Sequence, residues 1–124
     1  MDLKDIQNNN INLILEKDKV IILEFYTSWC PTCKMLAMVL EEFEEIHPEV
    51  FVLQVNADEN KELASLYKVN TAPTLLFIYK GKLYETLHGF IEIEELEEIV
   101  GSIEINKKIM ISLSFFKKCD ILLV

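Results

Sequence analysis

Two cysteines with two residues between them, Trp29-Cys30-Pro31-Thr32-Cys33-Lys34, stand between segments of opposite periodicity. Upstream, Val20-Ile21-Ile22-Leu23-Glu24-Phe25-Tyr26 is a run of strand formers interrupted by one charge. That pattern predicts a central strand covered on both faces. Downstream, Met35, Leu36, Val39, Leu40, Phe43 and Ile46 recur at helical spacing. Glu41, Glu42, Glu44 and Glu45 fill the other side, and Pro48 stops the helix. A Cys-x-x-Cys pair where a strand feeds a helix reads as a redox motif, able to close as a disulfide across one turn and to open again. The other reading is half of a zinc site. It needs two more ligands, and the sequence offers only Cys119, His47 and His88, without pairing.

The rest of the chain alternates in the same way. Asp5 to Glu16 carries Ile6, Ile11, Leu13, Ile14 and Leu15, a helical pattern weakened by asparagines at 8–10. Residues 51–55 predict a second strand, and 59–67 a short helix with Leu63, Leu66 and Tyr67 apolar. Residues 69–73 form a turn into a third strand, 74–79. Lys80-Gly81-Lys82 is a tight connection to a fourth strand over 83–88, and so short a link implies an antiparallel pair. A glutamate-rich terminal helix follows from Ile91 to about Ile105. The expected architecture is α/β: a mixed sheet with helices on both faces and an antiparallel edge. Ile109, Ile111, Leu113 and Phe115 then alternate with Met110, Ser112 and Ser114, which predicts an extra strand. The chain divides into one domain over 1–106 and a C-terminal extension over 107–124.

Composition narrows the function classes. The net charge is −9 and every basic residue is a lysine. An acidic chain without arginine lacks the basic face that nucleic acid requires. Three cysteines, two of them in one close pair, do not make a structural disulfide framework and fit a reducing compartment. Residues 1–10 are polar and acidic, with no basic or apolar leader segment. No run of 18 apolar residues occurs, so no membrane span is expected. The predicted location is the cytoplasm.

With these residues in hand, the chain resembles thioredoxin and the thioredoxin-like disulfide oxidoreductases. The resemblance rests on Glu24 to Lys34, on Val55-Asn56-Ala57-Asp58, on Val69 to Phe77 with its Ala72-Pro73-Thr74, and on Gly81 and Gly89. Their order and spacing cover roughly residues 5–105. The resemblance implies the thioredoxin fold, a central mixed sheet with four main helices, and a cis Pro73 facing the cysteine pair. It implies protein-disulfide substrates, a separate reductase of the thioredoxin-reductase type as electron donor, and no bound cofactor or metal beyond the redox-active Cys30–Cys33 disulfide. The chain departs from the family at Pro31-Thr32, where Gly-Pro is usual, at Glu24 in place of aspartate, and at Gln54 in place of a lysine. The first strand is missing or very short, and the tail is extra.

Chemistry follows residue by residue. Cys30 is expected at a helix start, where free N–H groups and the helix dipole favour a thiolate that attacks a substrate disulfide. Cys33, one turn on and more buried, then attacks Cys30 and releases the reduced substrate. Pro31 suits the first helical turn, and Pro31 and Thr32 help set the potential. Glu24 is read as a general acid or base for Cys33, or else as a carboxylate that reaches solvent. Trp29, Ala72 and Pro73 are expected to form the substrate contact, with the backbone before Pro73 pairing with the substrate chain; for Trp29 plain core packing is the alternative. Gly89 permits close approach of a partner or merely ends a strand. His47 reads as a solvated residue at a helix end, and His88 has no assigned role. Cys119 is either incidental or a third redox thiol. The leading function is a protein-disulfide reductase serving cell redox homeostasis and electron transport. An oxidase or isomerase, favoured by Pro31-Thr32, and a non-catalytic adaptor on the same scaffold are the alternatives.

Overall fold

Seven consecutive residues, Val20–Tyr26, form β1, and the first six are buried. In the computed structural model, which describes residues 1–2 and 11–105, β1 is one of the two inner strands of a four-stranded sheet ordered β2-β1-β3-β4. β2 (Phe51–Asn56) runs parallel to β1, while β3 (Thr74–Tyr79) runs antiparallel to it. β4 (Lys82–His88) closes the antiparallel edge. The β3–β4 link pairs Tyr79 with Lys82 across Lys80-Gly81, and both linking residues have positive φ, 50° and 77°. That conformation matches the right-handed twist of the strands it joins.

Period-two alternation along β1 sorts its side chains onto two cores. Val20 and Ile22 pack against Leu36, Leu40 and Phe43 of α2 (Pro31–Ile46). Leu96, Val100 and Ile103 of a fourth helix, over 93–105, complete that core. Ile21, Leu23 and Phe25 face the other way, with Leu15 of α1 (Ile11–Leu15) and Ala64 of α3 (Lys61–Leu66). Helices therefore cover both faces, as the alternation predicts. Glu24 has the parity of Val20 and Ile22, so the one charge of the strand points to the α2 side.

The helices differ from their expected bounds at the ends. α2 starts at Pro31, because proline has no N–H to leave unpaired and its φ is already helical. The short helix narrows to 61–66, with Asn60 at its N-cap position. Where a missing or very short first strand is expected, the described residues show a parallel bridge, Asp2 on Gln54, and the Gln54 N–H donates to the Met1 carbonyl at 2.7 Å. The 107–124 extension, Cys119 and the first part of the 5–16 helix lie outside the described residues.

Candidate active site

Cys30 is the N-cap of α2, with extended backbone (φ −95°, ψ 109°). An N-cap side chain faces the unpaired N–H groups of the first turn. Here the acceptor is sulfur: the Cys33 N–H donates to Cys30 Sγ at 3.2 Å. On its other side the Cys30 thiol donates to the Ala72 carbonyl at 3.8 Å. Ala72–Pro73 is a cis peptide, so the bond the resemblance implied is present and faces the cysteine pair. Both cysteines are free thiols and both are buried, at 6 % and 3 % exposure.

Cys33 lies deeper. Burial pushes its thiol up to about 12, and its hydrogen bond with Cys30 acts in the same direction, while a backbone hydrogen bond with Thr27 relieves part of the effect. Such a thiol does not ionise unaided near neutral pH, so its chemistry needs a base. Glu24 is 1 % exposed, which excludes a carboxylate reaching solvent. Neither of its oxygens has a hydrogen-bond partner. Burial raises the carboxyl from 4.5 to about 7; the Gln54 side chain beside it works against that rise, and the nearby Asp2 adds to it. Glu24 and Cys33 line one cleft of about 280 Å³ with Asp2, Tyr26, Lys34 and Gln54. The cleft brings together a thiol that resists ionisation and a carboxyl that titrates near neutrality.

The outer rim is open and of mixed character, with Trp29, Ala57 and Ala72 beside Asp58, Lys61 and Asn70. Trp29 is 74 % exposed, so it forms surface beside Cys30 rather than core. An open groove of about 840 Å³ runs from Trp29 past Ala57 to Thr71 and Ala72. Pro31 is exposed and Thr32 half-buried on the first turn of α2. Gly89, at φ +87°, donates its N–H to the Pro73 carbonyl at 2.9 Å. It thereby joins the 71–74 turn to the end of β4, and a side chain there is strained by φ rather than by crowding. Eight of the nine candidate site residues thus lie at the α2 N-terminus, in the cleft beside Cys33 or at the rim facing Cys30, and Gly89 adjoins them through Pro73. Among the described residues no three histidine, cysteine or carboxylate side chains converge as metal ligands.

The sequence missed the supports behind this rim. Thr74, fully buried, donates to the Thr71 carbonyl at 2.8 Å, and its Oγ1 lies 3.0 Å from His88 Nδ1. His88 also lies 3.3 Å from Thr71 Oγ1, which fixes the turn from the β4 side. Thr74 sits inside Ala-Pro-Thr and could have been suspected; nothing in the sequence marks His88. His47, read as merely solvated, bridges Glu49 at 3.2 Å and Glu97 at 2.8 Å.

Comparison with known proteins agrees with this geometry. The sequence profile of the family described as Thioredoxin matches residues 2–102. Thioredoxin-T of Drosophila melanogaster is 42 % identical over 78 residues, 62 % of this chain and half of that longer protein. The thioredoxin of Alicyclobacillus acidocaldarius subsp. acidocaldarius is 37 % identical over 89 residues, 71 % of this chain and 85 % of the relative. Among solved structures, Fasciola hepatica thioredoxin superposes with a TM-score of 0.67 at 32 % identity, covering 74 % of this chain and 89 % of that one.

Proposed function

We infer, from the premise that this chain belongs to the thioredoxin family and is a thiol–disulfide oxidoreductase, that it works in the reducing direction on protein disulfides. The observation that carries the exchange chemistry is the placement of Cys30 Sγ, between an α2 N-terminal N–H and the carbonyl before Pro73; the reducing direction rests on the likeness to thioredoxins and on a cysteine content that fits a reducing compartment. That N–H belongs to the first turn of α2, where backbone donors have no helical partner and so hold the sulfur at the helix end as the attacking atom. The Cys30 thiolate attacks one sulfur of a substrate disulfide, and the other substrate sulfur leaves as a thiolate and takes a proton. Cys33 then gives its proton to the Glu24 carboxylate and attacks Cys30. The Cys30–substrate bond breaks, the second substrate sulfur leaves, and the Cys30–Cys33 disulfide remains. A carboxyl titrating near 7 is well matched to that transfer, because a general base works best when its pKa lies near the operating pH.

Trp29, Ala72 and Pro73 would hold the substrate chain, with the Ala72 backbone pairing as a short added strand. Pro31 and Thr32 would contact substrate on the opposite side, and Gly89 would let it approach closely. The redox carrier is the cysteine pair itself. A separate reductase of the thioredoxin-reductase type would restore the dithiol, linking the chain to electron transport and cell redox homeostasis. Three cysteines with one close pair fit a reducing compartment, and we assign the chain to the cytoplasm. Among the described residues no helix is long and apolar enough to cross a membrane.

The test is the reduction potential of the Cys30–Cys33 couple, equilibrated against glutathione or dithiothreitol. We expect a value near the figure typical of thioredoxins, about −270 mV. A value near about −120 mV would make the chain an oxidant and overturn the direction. If Cys30→Ser leaves disulfide reduction intact, the catalytic account fails and the scaffold serves as a binding module.

A further inference from the structure

Residues 1 and 2 make several contacts around the Glu24 cleft. The Asp2–Gln54 bridge docks it on β2 directly beside the strand position that faces Glu24, since Glu24 and Gln54 are register partners. From that dock the Asp2 side chain lies across the α2 side of the sheet, where the Tyr26 hydroxyl donates to Asp2 Oδ2. Tyr26 is two residues beyond Glu24 and so on the same face. Asp2 and Tyr26 both line the cleft that holds Glu24 and Cys33. The buried carboxylate oxygens of Glu24 thus look into a space of about 280 Å³ with the Asp2–Tyr26 pair in its wall.

We propose that Asp2, clamped by Tyr26, is a positioning residue for proton exchange at Glu24, forming the wall through which the Cys33 proton leaves the cleft. This rests on the role given to Glu24 above and adds a path and a control to it. Once Glu24 has taken the proton from Cys33, it must lose it to solvent before the next turnover. The Asp2 carboxylate and the Tyr26 hydroxyl bonded to it line the cleft beside it, with Thr27, Ser28 and Gln54 as the other polar residues of the wall outside α2. A second negative charge so close also disfavours ionised Glu24, as like charges do. The other groups facing Glu24 are accounted for. The amino terminus acts in the opposite sense to Asp2, Gln54 partly offsets burial, and the Cys33 thiol is the proton donor. Lys34 lines the cleft from α2, and β3 presents the apolar Leu75 as register partner. Tyr26 is itself held in the phenol form by burial and by its bond to Asp2.

The experiment follows the Glu24 carboxyl carbon by NMR across pH in the full chain, beside the pH profile of disulfide reduction. Asp2→Asn keeps the backbone bridge but removes the charge. The Glu24 midpoint should fall by about half a pH unit, or about three-fold in its ionisation constant, and the rate profile should move with it. Tyr26→Phe, which releases the clamp, should shift the midpoint in the same direction, and Asp2→Glu should restore most of it. In a Glu24→Gln background, Asp2→Asn should leave the rate profile unmoved. An unshifted Glu24 midpoint in Asp2→Asn, or a rate effect that persists without Glu24, would overturn the proposal while leaving the role of Glu24 standing. If Glu24→Gln alone leaves the rate profile unchanged, the base assigned above is wrong and the role of Asp2 falls with it.

Discussion

Glu24 is where a single residue opposes the stability of the fold. Its carboxyl is buried with no hydrogen bond and its pKa is raised from 4.5 to about 7. The sign of the linkage follows directly. Below about pH 4.5 the acid is neutral in both states and costs little. Between about 4.5 and 7 the unfolded chain ionises it while the folded chain holds the proton, so stability falls as pH rises; above about 7 the penalty is constant. At about 1.4 kcal/mol per pH unit, the loss is on the order of 3 kcal/mol. Glu24→Gln removes the titration. Urea unfolding should find the variant gaining on the wild type from pH 4.5 to 8 by about that amount. Parallel stability curves across that range would mean that Glu24 ionises as readily in the folded protein as in the unfolded chain. If the proposed role of Glu24 holds, removing the carboxyl should stabilise the protein and slow the resolving step together.

At the scale of elements, the strands and α2 were legible because period and punctuation agreed there. Val20–Tyr26, Thr74–Tyr79 and the Lys80-Gly81 turn each carry a local signal that survives into the structure. The nine candidate site residues were singled out for a different reason: the order and spacing of their segments resemble a family. What stayed hidden were contacts between single polar residues far apart in the chain, such as Tyr26 with Asp2 and Thr74 with His88. Isolated polar residues have no periodicity to reveal a partner. His47 is the same kind of case, since it ends α2 but pairs with Glu97 on the helix over 93–105. Glu97 raises the imidazole pKa, burial lowers it, and Glu49 adds to the rise. A raised histidine stabilises below its unfolded value of about 6.5, and that contribution fades as pH climbs through the higher folded value. His47→Gln should therefore lower the melting temperature at pH 5.5 more than at pH 8.5. The site is exposed, so the difference should stay under about 1 kcal/mol. An equal loss at both pH values would assign the residue to its ring contact with Phe43, whose centroid is 4.6 Å away, rather than to charge.

For the whole molecule, the sheet both joins two cores and separates them. Leu36 belongs to the core between the sheet and α2, and Leu53 to the core on the α1 and α3 side; each is fully buried. Truncation to alanine at either position removes apolar contacts and leaves a cavity, which typically costs about 2–5 kcal/mol. The two side chains lie on opposite faces of the sheet, in separate apolar clusters, so the losses should add to within about 0.5 kcal/mol in the double variant. Their effects on chemistry should differ. Leu36 is one turn from Cys33 on the same helix and underlies the α2 N-terminus, whereas Leu53 supports the far face. Leu36→Ala should lower the rate of disulfide reduction at a temperature where both single variants remain folded, and Leu53→Ala should leave it near wild type. Denaturant unfolding and a disulfide-reduction assay on the same four proteins test both parts. Additive stability with a one-sided loss of activity would mean that the sheet isolates the site from the distant core. Strong coupling, or equal loss of activity, would mean that the strands carry strain from one face to the other, and that the position of the cysteine pair depends on the whole fold rather than on the helix beneath it.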